Sequence, residues 1–191
     1  FHAQTSVEAA VVLHEEIKDR LDEIDTIEIT THESAIRIIS KEGSLNNPAD
    51  RDHCIQYMTA IGLLKGNLVA EDYEDDVASD PRIDELRSKM VIKEDERYTR
   101  EYLEEDKRSI ANAIIINFKD GSSTEKVEVE YPIGHRRRRE QGIPLLIEKF
   151  ISNLNTQFSE TRSKEILSLC EDQSALETAS VIDFMALIAA E

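Results

Sequence analysis

The sequence has 191 residues, and its 23 Lys and Arg against 40 Asp and Glu leave a formal net charge of −17. That much negative charge repels phosphate backbones and anionic lipid headgroups, so we expect no nucleic-acid partner and no membrane-surface partner. No apolar run approaches the roughly 18 to 20 residues that cross a bilayer, and a composition that is 40% hydrophobic and 33% charged predicts a soluble globular protein.

The chain contains two cysteines, Cys54 and Cys170. Two distant thiols form neither a disulfide framework nor a zinc motif, and an iron–sulfur cluster needs three or four thiolates. The motifs typical of zinc proteases, serine hydrolases and nucleotide-binding loops are missing as well. We therefore expect no metal and no cofactor, and a reducing compartment, which is the cytoplasm or, in a eukaryote, the mitochondrial matrix.

The first predicted elements are a helix and a strand. Thr5 and Glu8 have the spacing of a capping box, and the apolar residues that follow at helical spacing predict a helix over about residues 6–21. Isoleucines that alternate with polar residues predict a strand over residues 24–30. Because the sequence opens at Phe1, directly beside this cap, we expect it to be part of a longer protein.

A second helix is predicted after a loop that contains glycine and asparagine. Asn47 suits the N-cap of this helix, Pro48 suits its first position, and Gly66 marks its expected end. Beyond an acidic and irregular stretch, the pattern predicts a short helix over residues 82–89 and a strand over residues 90–92.

The strongest hairpin pattern lies in the middle of the chain. An apolar, β-branched run at residues 111–118 and an alternating run at residues 127–131 predict two paired strands. Only helical patterns follow, beyond a boundary near residues 134–142. We therefore predict an α+β fold, with a small, largely antiparallel sheet and packed helices over residues 1–134, followed by an all-helical segment over residues 135–191.

His53 and Tyr57 stand four residues apart in the predicted second helix. At that spacing their side chains meet on one helical face. A histidine beside a tyrosine hydroxyl can exchange protons with a substrate, which is general acid–base chemistry. The alternative is that the two residues merely flank a core face of the same helix.

A run of basic residues, His135 followed by Arg136 to Arg139, interrupts an otherwise acidic chain. It could bind nucleic acid or act as a nuclear address, clamp a carboxylate-rich ligand, or pair with the acidic residues of the protein itself. If the segment is extended, successive side chains point in opposite directions, so at most about two of the four arginines could face one ligand.

Four more polar residues lie next to predicted elements. His2 and Gln4 stand beside the first helix, whose N-terminus offers free N–H groups to an anion. His32 and Glu33 follow the first strand and could serve as loop ligands. Their positions alone favour an exposed surface location for all four.

Several continuous strings in the sequence closely resemble one family of enzymes. They are residues 1–5 (FHAQT), 46–57 (NNPADRDHCIQY) and 131–139 (YPIGHRRRR), with further matches at residues 107–112 and 142–146. Together they resemble the C-terminal portion of the MmgE/PrpD family. The resemblance covers essentially the whole chain and implies an α+β lid domain, after which the chain returns to complete a helical domain whose N-terminal part is absent.

The resemblance also implies an activity. It is the removal of water from 2-methylcitrate to give 2-methyl-cis-aconitate in propionate breakdown (the methylcitrate cycle), without an iron–sulfur cluster. Other members decarboxylate cis-aconitate or epimerise acids, and these activities remain alternatives, as does an acidic α+β interaction module without activity. The implied partners are a small tricarboxylate substrate, the N-terminal helical domain and a second copy of the enzyme in a homodimer.

The resemblance assigns expectations to individual residues. Tyr57 is similar to a pocket tyrosine of the decarboxylase relatives, and His53 lies one turn away, so both are expected to be catalytic. His2 is a third catalytic candidate, because it falls where the family brings histidine into the site, and Gln4 beside it is expected to bind substrate. His135 and Arg136 are expected to bind the tricarboxylate or to lie at the domain junction.

Overall fold

A computed structural model describes residues 1–189, and residues 190 and 191 of the predicted C-terminal segment lie outside the described residues. The chain divides into two compact units, of which the first is Phe1–Pro132 and the second begins at Ile133. Among the described residues, no helix is long and apolar enough to cross a membrane.

The first unit is built on a four-stranded mixed sheet with the strand order β2-β1-β3-β4. β1 pairs with β2 in parallel and with β3 antiparallel, and β3 pairs with β4 antiparallel. The predicted α+β class with a small, largely antiparallel sheet is therefore confirmed. The strands are β1 (Ile24–Thr31), β2 (Met90–Glu94), β3 (Asn112–Phe118) and β4 (Val127–Val129).

Helices surround this sheet in the first unit. The core between the sheet and the helices is aliphatic, and burying each isoleucine fully contributes about 1.5 to 3 kcal/mol. Ile27, Ile29 and Ile114 have no exposed surface. The helices are α1 (Gln4–Ile17), α2 (Glu33–Ile39), α3 (Pro48–Arg51), α4 (Ile55–Lys65), α5 (Asp75–Ala78), α6 (Pro81–Ser88) and α7 (Glu96–Leu103).

α1 and α4 pack closely against each other. A Cβ atom added at Gly62 of α4 would lie 2.9 Å from the Cβ of Ala10 in α1, so only glycine allows this approach. Gly66 ends α4 as predicted, with a φ of 68°. A Cβ atom at Gly66 would lie 2.7 Å from Cδ2 of His14. Small residues therefore set the distance between these two helices.

The predicted capping box at the first helix is wrong. The helix begins at Gln4, with Ala3 as the N-cap and without a side-chain cap. Thr5 is fully buried, and its hydroxyl donates to the backbone oxygen of Ile110. It also accepts a hydrogen bond from Nδ2 of Asn112 at 2.6 Å. Thr5 thus holds α1 against the start of β3, a contact between distant parts of the chain that local spacing does not indicate.

The second predicted helix is interrupted in the structure. Its cap is confirmed, because the Asn47 side chain accepts a hydrogen bond from the backbone N–H of Asp50 at 2.9 Å. The helix ends after Arg51, however, and a new helix begins at Ile55. Cys54 between them has extended backbone angles, with φ −128° and ψ 109°. The break places the Arg51 side chain in the protein interior, where it is 6% exposed.

The second unit is helical, as predicted for the C-terminal segment. Its first long helix begins at Arg139 and contains Pro144 in its second turn. A 3₁₀ turn over Arg136–Arg138 precedes it. The helices are α8 (Arg139–Leu154), α9 (Glu160–Glu171), α10 (Gln173–Thr178) and α11 (Val181–Ile188).

Candidate functional site

Tyr57 is a buried tyrosine on α4, with 2% of its surface exposed. Its hydroxyl donates to the backbone oxygen of Asp72 at 2.7 Å. Burial raises the pKa of Tyr57 to about 12, and the nearby charge of Asp72 acts in the same direction while Arg51 acts against it. At neutral pH the hydroxyl therefore keeps its proton and can donate it, which is the behaviour of a general acid.

The segment that covers Tyr57 is held by charged side chains. The Arg51 guanidinium donates to the backbone oxygen of Tyr73 and to Oδ1 of Asp75, both at 2.7 Å. The Asp72 carboxylate is fully buried, pairs with Lys65, and accepts from the backbone N–H of Val69 at 2.8 Å. These contacts fix residues 69–75 over the tyrosine.

A small cavity of about 190 Å³ lies beside Tyr57 and is also lined by Arg51 and Arg87. The Nε atoms of both arginines are buried and have no hydrogen-bond partner among the described residues. Asp75 and Asp84 line the same cavity, so its charges are largely balanced. The cavity is smaller than the roughly 300 to 1,000 Å³ of typical ligand pockets.

His53 does not share a helix with Tyr57. It lies in the break between α3 and α4, its side chain is 60% exposed, and its ring contacts the carboxylate of neighbouring Asp52. The predicted meeting of His53 and Tyr57 on one helical face is therefore wrong, because the four-residue spacing holds only within a continuous helix.

His2 lies in a cluster of rings at the start of α1. Its ring centroid is 5.0 Å from that of His32 and 5.7 Å from that of Tyr102, and Phe1 lies 5.3 Å away on an edge. The pKa of His2 is lowered, mainly because burial disfavours the charged ring. A neutral imidazole at physiological pH can accept a proton. Gln4 stands in the first turn of α1 and is exposed.

His32 is the member of this cluster that sequence reasoning misplaced, since a surface position was expected and the residue has no exposed surface. It is the N-cap residue of α2, and its ring stacks on Tyr102 with centroids 4.5 Å apart and planes 12° from parallel. Burial, followed by the charge of His2, lowers its pKa to about 4. If the alternation of β1 continued, the His32 side chain would lie on the opposite face of the sheet from the Thr31 side chain. The strand ends at Thr31, however, and the His32 side chain is buried in the protein interior.

The basic run, residues 135–139, lies in the second unit, and its backbone is not extended. His135 caps a 3₁₀ turn, and its Nδ1 accepts from the backbone N–H of Arg137 at 3.2 Å. Partial burial, and then the charges of Arg136 and Arg137, lower the pKa of His135. The 3₁₀ turn covers Arg136–Arg138 and Arg139 begins α8, so the segment is not extended and the alternation considered for an extended segment does not apply.

The structure also bears on metal ions and on larger ligands. Within residues 1–189, no group of three or more His, Cys, Asp or Glu side chains is arranged to hold a metal ion. A groove of about 720 Å³ runs along the edge strand β2 and is lined by Lys41, Gln56 and Arg87 together with Met90 and Val91. None of the six predicted site residues lines this groove.

The sequence matches a known protein family. A model described as the MmgE/PrpD C-terminal domain matches residues 1–173. The chain belongs to the MmgE/PrpD family. Among its relatives, the 2-methylcitrate dehydratase of Salmonella typhimurium is 52% identical over 190 residues, which cover 98% of this chain and 39% of that protein.

Two other relatives carry similar names. The mitochondrial 2-methylcitrate dehydratase of Yarrowia lipolytica is 55% identical over 171 residues, or 88% of this chain and 33% of that protein. The 2-methylcitrate dehydratase of Cupriavidus necator is 50% identical over 192 residues, or 99% of this chain and 40% of that protein. This MmgE/PrpD chain thus spans about two fifths or less of the length of these relatives.

Proposed function

We propose that this chain is the C-terminal portion of a hydro-lyase that converts 2-methylcitrate to 2-methyl-cis-aconitate in propionate breakdown. The observation that carries the proposal is the 52% identity, over 98% of the chain, to a relative named 2-methylcitrate dehydratase. Two chemically suited groups in the first unit support it, the imidazole of His2 and the hydroxyl of Tyr57.

The reaction needs an acid, a base and positive charge. A base removes a proton from the carbon next to a carboxylate, the electron pair forms the double bond, and the hydroxyl on the neighbouring carbon leaves as water after an acid protonates it. Negative charge develops on a substrate that is already anionic, so cations and hydrogen-bond donors must stabilise it. No step requires a metal or an organic cofactor.

His2 and Tyr57 suit the two proton-transfer roles. Burial lowers the pKa of His2, so the neutral ring can take the substrate proton. The Tyr57 hydroxyl keeps its proton and can give it to the departing hydroxyl group. Because that proton now points to the backbone oxygen of Asp72, the hydroxyl must turn from this oxygen to the substrate. We propose His53, which lies at the exposed break before α4, as the third catalytic residue.

The substrate carboxylates require cationic and polar partners. Gln4 stands in the first turn of α1, and in the second unit His135 and Arg136 offer an imidazole ring and a guanidinium group. We propose that these side chains bind the tricarboxylate.

The complete enzyme is proposed to act with an N-terminal helical domain and as a homodimer. Its compartment would be the cytoplasm, or the mitochondrial matrix in a eukaryote, in keeping with the mitochondrial relative in yeast.

A substrate panel on the full-length enzyme tests this proposal. Purified enzyme is given 2-methylcitrate, citrate and cis-aconitate, and product formation is followed by absorbance of the new double bond and by NMR. We expect dehydration of 2-methylcitrate and its loss in His2→Gln, with activity retained in the matched control His14→Gln, whose ring contacts the Leu63 carbonyl, Glu15 and the region of Gly66 and none of the proposed site residues. Decarboxylation of cis-aconitate without dehydration would assign another family activity instead. A folded enzyme without any activity would favour the interaction module.

A further inference from the structure

The ring cluster at His2 contains polar atoms that lack partners. Both ring nitrogens of His32 are buried without a hydrogen-bond partner among the described residues, and so is Nδ1 of His2. Most buried polar groups in native proteins are hydrogen-bonded, and the exceptions call for an explanation. A phenylalanine at position 32 would stack equally well on Tyr102 and would bury no polar atom. The nitrogens of His32 therefore point to a role beyond packing.

The separation of the two imidazole rings suits a direct hydrogen bond between them. Their centroids lie 5.0 Å apart, and their planes are inclined by 57°. Two imidazoles joined by an N–H···N hydrogen bond of about 3 Å have centroids about 5 Å apart when the bond lies along the line between the rings. The centroid distance of the two rings is therefore compatible with a hydrogen bond between Nδ1 of His2 and a nitrogen of His32.

We propose that His32 is a positioning residue, which accepts a hydrogen bond from Nδ1–H of His2 and thereby leaves the lone pair of Nε2 free for the substrate proton. The hydrogen bond that one ring nitrogen makes sets which nitrogen carries the proton. The catalytic half of this proposal rests on the proposed function, in which His2 is the base. The structural half, which concerns the tautomer of His2, does not depend on the proposed function.

The surroundings keep His32 neutral and hold His2 in place. Tyr102 of α7 covers one face of the His32 ring, and His2 is the one titratable group whose charge contributes to lowering the pKa of His32. Glu33, the next residue, is exposed, and Oε1 of its carboxylate lies 3.5 Å from Nη1 of Arg37. A neutral imidazole has one ring nitrogen with a free lone pair, so the neutral His32 ring can accept one hydrogen bond. Asn112 holds His2, the proposed hydrogen-bond donor, in place, because Nδ2 of Asn112 donates to the backbone oxygen of His2 at 2.9 Å.

Imidazole ¹⁵N NMR on the 191-residue chain tests the proposal directly, since nitrogen shifts distinguish the two tautomers. We expect His2 to carry its proton on Nδ1 in the wild type. His32→Phe keeps the stack on Tyr102 and removes the acceptor, so the Nδ1–H preference should be lost. The pKa of His2 should also fall, because the imidazolium loses an acceptor. His32→Gln loses the stack but offers a side-chain oxygen, so the tautomer should be restored.

Steady-state kinetics of the full-length enzyme test the catalytic half. We expect His32→Phe to lower kcat about 10-fold with little change in KM, and His32→Gln to recover most of the loss, because one neutral hydrogen bond that orients the base is removed and then replaced. A merely structural role predicts the reverse order, with Phe tolerated and Gln damaging.

The outcomes separate this proposal from the proposed function. A wild-type His2 with its proton on Nε2, or an unchanged tautomer in a folded His32→Phe variant, overturns the proposal. If His32→Phe does not fold, the wild-type tautomer and the Gln variant still decide it. If the tautomer responds as expected but the wild-type enzyme does not dehydrate 2-methylcitrate, then only the proposed function fails.

Discussion

Replacing Tyr57 with phenylalanine removes one hydroxyl from a buried position and leaves the ring in place. The hydroxyl donates to the backbone oxygen of Asp72 at 2.7 Å, and both residues are at most 2% exposed. A typical intramolecular hydrogen bond contributes about 0.5 to 1.5 kcal/mol, and a buried acceptor left without a partner costs about 1 to 3 kcal/mol. We therefore expect the free energy of unfolding to fall by about 1 to 3 kcal/mol in Tyr57→Phe.

Denaturant unfolding of the chain measures this change. The matched control is Tyr73→Phe. The ring centroids of Tyr57 and Tyr73 lie 6.3 Å apart, and no hydrogen bond from the Tyr73 hydroxyl is found among the described residues. That variant should change stability by less than about 0.5 kcal/mol, as is usual for substitutions away from such contacts. Equal losses in the two variants, or no loss in Tyr57→Phe, would refute the assignment of this hydrogen bond.

The same substitution in the full-length enzyme separates stability from catalysis. If Tyr57 is the general acid, turnover should fall by about 10²-fold or more, the usual size of one acid–base contribution. Kinetics measured well below the melting temperature, with the folded fraction determined by circular dichroism, give turnover per folded molecule. A variant that loses stability but retains most of its turnover would leave Tyr57 as a core residue that anchors the segment above it.

Four other outcomes are expected. Gly66→Ala should lower the free energy of unfolding by more than Gly43→Ala in denaturant titrations, because both positions have positive φ but an added Cβ meets a neighbouring side chain only at Gly66. The free energy of unfolding should also fall as the pH is lowered from about 6.5 to about 4, because the folded pKa of His32 is about 4 and the unfolded chain takes up the proton first. That part of the pH dependence should vanish in His32→Phe. In the full-length enzyme, Arg136→Gln should cut kcat/KM by roughly 10- to 10³-fold in steady-state assays, because one charge-assisted contact to the substrate is lost. Finally, the chain by itself should not dehydrate 2-methylcitrate in a direct assay, because a site shared with a second domain is incomplete without that domain.

Local patterns in the sequence predicted most of the individual elements correctly. Alternation identified the strand that begins at Ile24, and an apolar, β-branched run identified the strand that begins at Asn112. The cap at Asn47 and the stop at Gly66 are where the sequence places them. These features depend on interactions between residues that are close in the chain, such as backbone hydrogen bonds, side-chain caps and the conformational freedom of glycine. The resemblance of continuous strings also identified the family, since it needs no knowledge of the fold.

Contacts between distant residues decided the rest. The helix break after Arg51 brings the Arg51 guanidinium to the backbone oxygen of Tyr73. The Thr5 hydroxyl accepts a hydrogen bond from Asn112 of β3 instead of forming a capping box. His32 was expected at the surface, yet it lies beneath Tyr102 and against His2 because the chain turns inward at the end of β1. The sequence thus determined which residue types were available for acid–base chemistry. Only the tertiary structure determined which of them are buried together, because burial and the resulting pKa shifts arise from neighbours that are distant in the chain.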